Sequence, residues 1–414
     1  MKQILSLVVA GLFGILFPYS LGHAQPSNYE TYEAAFRLPL EGSLLRTAVN
    51  FWVKIYGTYA TNEGVIHDTK DLGIIYEALK LPDNRRDQSR VIRAAKAKYR
   101  EMLLKLHRLK IAESPEKILE LTEEEKKVAN LFSKSTDRLK FLNAAHFKRL
   151  RFQLGQKDRM LQGIKESGRY LPFMEEIFHN EGMPRELTRL PFVESSFNTL
   201  ARSKVGASGI WQFMRSTGKV FLNITSAVDE RNDPLRATEA AAKLLKINHE
   251  SLGNWPLAVT AYNHGRTGLM KAVRKLGTDD LEQIITTHHA RSFGFASSNF
   301  FACLLAAVEV EKNSTKYFGE IGRDQPHFFF EISLPEPIRL SDLVKFMGID
   351  EEAVLDLNPG LQSTAVKSQE RLYAGYRLRL PLKGAGSEEN KASQGRVFLA
   401  GFEKIPPFLK GLKK

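Results

Sequence analysis

The sequence predicts a mainly α-helical protein that closes with a small α+β unit. Three observations lead there. Amphipathic stretches fill most of the first 312 positions, and glycine and proline punctuate them where helices should end. Near residue 313 the pattern changes to two β-like segments flanking two short helices. At 414 residues, with 43% hydrophobic and 26% charged residues, the chain is long enough for two or three domains with buried cores.

Taken in order, Lys2 precedes an apolar stretch at 4–19, and Gly22-His23-Ala24 offers small residues for a cleavage site. Residues 1–24 are therefore expected to be a signal peptide that sends the protein to the periplasm or cell envelope. An uncleaved membrane anchor is the alternative, because the stretch is near the lower length limit for spanning. No cysteine lies near residue 24, so no lipoprotein anchor is expected there. The single cysteine, Cys303, sits in the apolar run Phe300-Phe301-Ala302-Cys303-Leu304-Leu305 and reads as core packing rather than a nucleophile.

Residues 25–165 are expected to form a helical N-terminal extension. The run 90–109 puts Val91, Ala95, Tyr99, Leu103 and Leu106 on one face. Ser114-Pro115-Glu116 starts another helix, and 136–153 is a third amphipathic stretch. Residues 166–312 read as a helical domain, with helices at 171–180, 237–248 and 256–261. Residues 326–383 follow a β-α-α-β order, and 384–414 are Gly/Ser/Glu/Asn-rich at first, as expected of a flexible tail.

Lys and Arg number 60 against 47 Asp and Glu, a formal charge of +13. That balance suits an acidic polymer: nucleic acid, an anionic membrane surface, or the carboxylate-rich peptides and phosphates of a cell envelope. The export signal favours the envelope over nucleic acid.

Chemistry concentrates in the central domain. In Leu190-Pro191-Phe192-Val193-Glu194-Ser195-Ser196-Phe197-Asn198, Glu194 ends an apolar helical run, where desolvation would keep its carboxyl protonated near neutral pH. A general acid that protonates a glycosidic oxygen needs that state. Ser203-Lys204-Val205-Gly206-Ala207-Ser208-Gly209-Ile210-Trp211-Gln212-Phe213-Met214 is a glycine-punctuated loop in which a sugar could approach the backbone. Trp211 or its neighbours could stack on it, and Gln212 could hydrogen-bond. Ala261-Tyr262-Asn263-His264-Gly265 then places a phenol and a carboxamide at a glycine-ended helix.

These three blocks resemble, in order and spacing, the catalytic domain of the soluble lytic transglycosylases, glycoside hydrolase family 23, in its membrane-bound murein transglycosylase D subgroup. The resemblance covers roughly residues 150–312. It implies a goose-lysozyme-like helical fold and cleavage of the β-1,4 bond between N-acetylmuramic acid and N-acetylglucosamine in peptidoglycan. It also implies that Glu194 is the catalytic acid and that Ser195, Ser203, Gln212, Met214, Thr217, Tyr262 and Asn263 contact the glycan. Two departures stand out. Ile210-Trp211 replaces Leu-Met in the second block, and Asn299-Phe300-Phe301-Ala302 lacks the tyrosine that a fourth block usually carries.

The motif blocks hold one carboxylate, whereas most glycosidases use two. Asp229, Glu230 and Asp233 are interleaved with Arg231 and Arg236 and read as caps and salt bridges. With one carboxylate, the N-acetyl group of the substrate can act as internal nucleophile. Glu194 would protonate the leaving oxygen and then serve as base on the 6-hydroxyl, closing a 1,6-anhydro ring. A lysozyme-type hydrolase using water and an inactive glycan-binding scaffold are the alternatives. No metal-ligand spacing or phosphate loop is present, so no metal or cofactor is expected. The expected partners are peptidoglycan glycan strands and anionic envelope surfaces, with no nucleic acid, and the expected state is a monomer.

The C-terminal β-α-α-β stretch resembles a LysM module. Leu340-Ser341-Asp342-Leu343-Val344, Leu357-Asn358-Pro359 and Gly375-Tyr376-Arg377-Leu378 follow that family's course. The resemblance implies binding of N-acetylglucosamine-containing glycans. The usual Gly-Asp-Thr-Leu entry is absent, however, and an insertion lies between Pro359 and Tyr373.

Overall fold

A computed structural model describes residues 35–367 and 369–381. The signal peptide expected at 1–24 and the tail expected at 384–414 lie outside the described residues.

Helix α1 (Leu44–Gly57) begins at Ser43, whose hydroxyl accepts a hydrogen bond from the Arg46 amide. Strands β1 (Glu63–Asp68) and β2 (Ile75–Lys80) follow, then α2 (Arg85–Arg108), α3 (Glu123–Asn130), α4 (Lys140–Ala144) and β3 (Leu150–Leu154). Next come α5 (Lys157–Ser167), α6 (Leu171–Asn180), α7 (Leu190–Glu194), α8 (Arg215–Phe221) and α9 (Pro234–Leu252). They are followed by α10 (Trp255–His264), α11 (Arg266–Leu276), α12 (Leu281–Thr287), α13 (Phe295–Lys312) and α14 (Ser314–Phe318). The last part runs β4 (Phe329–Ser333), α15 (Leu340–Met347), α16 (Glu351–Leu357), α17 (Ser363–Val366) and β5 (Arg377–Pro381).

The mainly helical class expected from the sequence holds, but the first 165 residues contain more than helices. β1 is the middle strand of an antiparallel sheet in the order β2-β1-β3. The helix expected over 136–153 is absent. Only α4 forms there, and the chain then enters β3, where it pairs with β1 from Leu150 opposite Asp68 to Leu154 opposite Gly64. Tertiary pairing has overridden a local helical pattern. The start at Ser114-Pro115 is a 3₁₀ turn, Pro115–Glu120, without a side-chain cap. The face read on α2 is as expected: Ala95, Tyr99, Leu103 and Leu106 are buried and Val91 partly so.

α13 decides where the centre of the molecule lies. Phe300, Phe301, Ala302, Cys303, Leu304 and Leu305 are all buried, so this helix is apolar around its whole circumference and is enclosed by others. α1 belongs to the same core: Leu45, Val49, Trp52, Ile55 and Tyr56 are buried in one cluster with α6, α9, α10 and α13. A second core joins the sheet to α2, and a third fills the C-terminal unit.

That C-terminal unit has the expected β-α-α-β order, with β4 and β5 paired antiparallel and α17 added inside the insertion. A buried polar seam joins it to α9. Asp233 caps α9 by accepting from the Leu235 and Arg236 amides, and the same oxygen accepts from Arg379 Nη2 at 2.8 Å. Arg236 also meets Glu239 and Glu331, and Arg377 reaches Glu239. Among the described residues, no helix is long and apolar enough to cross a membrane.

Candidate active site

Glu194 is the last residue of α7, a five-residue helix begun by Leu190 and Pro191. The chain then reverses through two left-handed residues, Ser196 (φ 54°) and Phe197 (φ 61°). Outside glycine this conformation costs on the order of 1 kcal/mol or more per residue. Burial offsets it: Phe197 is fully buried, its ring 4.6 Å from that of Phe192, and its amide donates to the Pro191 carbonyl. The reversal fixes the direction in which Glu194 leaves the helix.

The Glu194 residue is only partly shielded from solvent, yet its carboxyl lies among protein groups, and this desolvation pushes it up to about 8. Desolvation is the sole cause, and among the described residues the carboxyl has no hydrogen bond or ion pair. At neutral pH the group is therefore mostly the neutral acid.

The glycine-rich loop is tied to α7 by Ser195, whose hydroxyl donates to the Ile210 carbonyl at 2.9 Å. Ser203 closes the loop on itself: its Oγ accepts from the Ala207 amide at 2.9 Å, and its own amide donates to the Ala207 carbonyl. Gly209 (φ +78°) admits no side chain, because a Cβ there would lie 1.8 Å from the Arg231 carbonyl oxygen. Gln212 is also left-handed (φ 48°), and its amide nitrogen donates to the Ala201 and Gly209 carbonyls, leaving its side-chain oxygen as the free acceptor. Met214 is exposed and Thr217 half-buried on the following segment.

Trp211 does not line a sugar surface, contrary to the sequence expectation. It is fully buried, stacks on Phe178 at 5.9 Å, and donates through Nε1 to Thr238. Its carbonyl accepts from the Tyr262 hydroxyl at 2.9 Å, so the loop and α10 are joined there. Tyr262 in turn stacks parallel to Phe300, the residue at the place where a tyrosine was missed. Asn263 is exposed, with its side-chain oxygen accepting from Ser297 at 3.0 Å.

Two further groups come to this place, Cys303 and Tyr56, the latter without any sequence signal. Tyr56, at the end of α1, is buried beside the Cys303 thiol. Tyr56, Tyr262 and Cys303 all lie within electrostatic reach of Glu194, and burial raises each of their pKa values. Cys303 is thus an inert core thiol, as its apolar run indicated. The acidic trio is structural too. Asp229 pairs with Arg231 at 2.7 Å, Glu230 accepts from the Asn223 amide and the Tyr373 hydroxyl, and Asp233 caps α9. No second carboxylate faces Glu194 from that cluster.

A family model for the transglycosylase SLT domain matches residues 173–285, a span that includes Glu194, the glycine loop and Tyr262. The chain is 28% identical over 218 residues to membrane-bound lytic murein transglycosylase D of Escherichia coli, covering 52% of this chain and 47% of that one. The chain therefore spans about half the length of the curated relative it matches. Two solved structures overlap parts of the chain. One is the 70 kDa soluble lytic transglycosylase of Escherichia coli, with 19% identity and a TM-score of 0.29 over 37% of this chain and 25% of that one. The other is an inactive mutant of lytic transglycosylase Slt from Pseudomonas aeruginosa, with 16% identity and a TM-score of 0.32 over 50% of this chain and 33% of that one. The matched SLT span stops short of α13, which backs the domain, and excludes α1, which brings Tyr56 to Glu194.

Proposed function

We propose that the protein is a peptidoglycan lytic transglycosylase that cuts the bond between N-acetylmuramic acid and N-acetylglucosamine and leaves 1,6-anhydromuramic ends. The observation that carries this reading is the state of Glu194: a desolvated, unpaired carboxyl, protonated at neutral pH, inside an SLT domain. Glu194 gives its proton to the glycosidic oxygen as the bond to C1 breaks. The acetamido oxygen of the same muramoyl residue attacks C1 and carries the developing charge. The Glu194 carboxylate then takes the proton of the 6-hydroxyl, whose oxygen displaces the acetamido group. No water enters, and Glu194 ends in the form in which it began.

Ser195, Ser203, Gln212, Met214, Thr217, Tyr262 and Asn263 are assigned to the glycan cleft. Ser195 and Tyr262 act there chiefly by holding the loop, because their hydroxyls are bonded to the Ile210 and Trp211 carbonyls. Residues 166–312 are assigned as the catalytic domain, and 326–383 as a LysM-like module for the same glycan. The protein is placed in the periplasm or cell envelope as a monomer. The test is Glu194→Gln assayed on purified sacculi with mass analysis of products. Wild-type protein should release anhydro-muropeptides and the variant almost none. Reducing-end products alone would instead identify a lysozyme-type hydrolase.

A further inference from the structure

A cleft of about 920 Å³ opens between the sheet unit and the beginnings of α1 and α13, and Glu194 is not among its walls. Lys70, Lys96, Lys148 and Arg151 line it, with His288 and His289 beside them, against one carboxylate, Asp71. Asp71 is turned towards its own loop, where it accepts from the Gly73 amide at 2.9 Å. Among the described residues, none of the four cations has an ion pair. Arg149, next to Lys148 in the chain, is by contrast paired with buried Asp68 at 2.8 Å. The Arg151 guanidinium lies 4.3 Å over the Phe295 ring, a contact that holds it at the cleft wall. Cations gathered around a concave surface without counter-charges raise its positive potential and favour an anionic occupant.

The cleft borders the glycan site through α13. Asn299 lines it and accepts from Trp52 Nε1, while Ser297, two residues earlier, donates to Asn263. Phe293, also in the cleft wall, packs edge-on against His264 at 5.1 Å. A polymer lying along Asn263 would carry its side branches past the lysines. The four cations come from the β1–β2 loop, α2, and the start of β3 and the residues before it, around a cleft of about 920 Å³, whereas a phosphate is usually gripped by converging donors at one point. Several carboxylates spaced along a peptide match this spread better than one compact phosphate.

We propose that this cleft is a second binding site, which takes the carboxylates of the peptide branches carried by the glycan substrate. The assignment of glycan to the Glu194 site rests on the function proposed above; the cleft's charge does not. The test uses the full protein and titrates a synthetic acidic peptide with free carboxylates, its fully amidated twin, and inorganic phosphate. The acidic peptide should bind, lose affinity as salt rises beyond about 0.15 M, and lose about tenfold in the Lys70→Glu, Lys148→Glu double variant. Both lysines are exposed and without ion pairs, so unchanged thermal melting should accompany that loss. Equal binding of the amidated twin, or displacement of the peptide by equimolar phosphate, would overturn the proposal. A protein that cuts no glycan but binds the peptide in this way would sink the catalytic reading and support this one.

Discussion

Glu194 and Asp233 are both carboxyls withdrawn from water, and they end in opposite states. Burial alone pushes Glu194 up to about 8. Burial acts on Asp233 in the same direction, but the Arg379 and Arg236 guanidiniums outweigh it and hold the carboxyl below its ordinary value. The difference is the partner, not the depth. At the seam the sequence supplies two guanidiniums and two amide donors to Asp233, and that acid becomes structure. At Glu194 it supplies phenols, a thiol and apolar rings, and the acid keeps a proton it can give away.

The largest effect is expected at Glu194. Glu194→Gln should lower turnover on sacculi on the order of 10³-fold, as expected for losing a general acid and base together. Wild-type activity should fall as pH rises through about 8, where Glu194 loses its proton. A flat profile from pH 6 to beyond that point would contradict the assigned role.

The seam should respond in stability instead. Arg379→Ala leaves Asp233 buried without its strongest partner and should cost about 3 kcal/mol in urea unfolding. Replacing Asp233 and Arg379 together by leucine should cost less than Arg379→Ala alone. The pH dependence follows from the depressed Asp233 pKa: its contribution is present above the unfolded value and is lost as pH falls through the folded one.

Glu194 has the reverse sign. Its folded pKa is raised from 4.5 to about 8, so in that window the folded state holds a proton that the unfolded chain has released. Rising pH across the window destabilises the fold. Glu194→Gln should therefore be more stable than wild type at pH 9 by roughly 2 kcal/mol, with the gain gone at pH 4. Thermal melts at the two pH values check this. Equal gains at both would mean that the carboxyl is not desolvated.

The smallest effect is expected between the two regions. Tyr262→Phe removes the bond to the Trp211 carbonyl and should cost about 1 kcal/mol in stability. Its loss of activity should be far smaller than that of Glu194→Gln, since the hydroxyl holds the loop. A loss as large would make the phenol a participant in proton transfer.

What could be read from the sequence depended on whether a signal was local. The α2 stripe, α6 and the β-α-α-β order were legible because periodicity and glycine or proline punctuation lie within a few turns. β1 was not: Gly64, Val65, Ile66, His67 and Asp68 are all buried, so the strand shows no alternation. β3 was masked by the amphipathic pattern around it. At the site, Glu194 could be read from its apolar helix end and the blocks that follow. The buried Trp211 indole, turned into the core by Phe178 and Thr238, could not. Tyr56 was invisible for a plainer reason: only packing of α1 on α13 brings it to Glu194.

The seam has a consequence for the order in which the molecule is completed. Asp233 waits for Arg379, which lies 146 positions later in the chain. As the polypeptide is threaded out from its N-terminus, α9 can form long before β5 exists. Until then its capping acid has only Arg236 to neutralise it. The helical domain therefore passes through an interval in which α9 is made but unlocked. A chain halted before residue 377 should be trapped there, open to proteolysis along the face that β5 will cover.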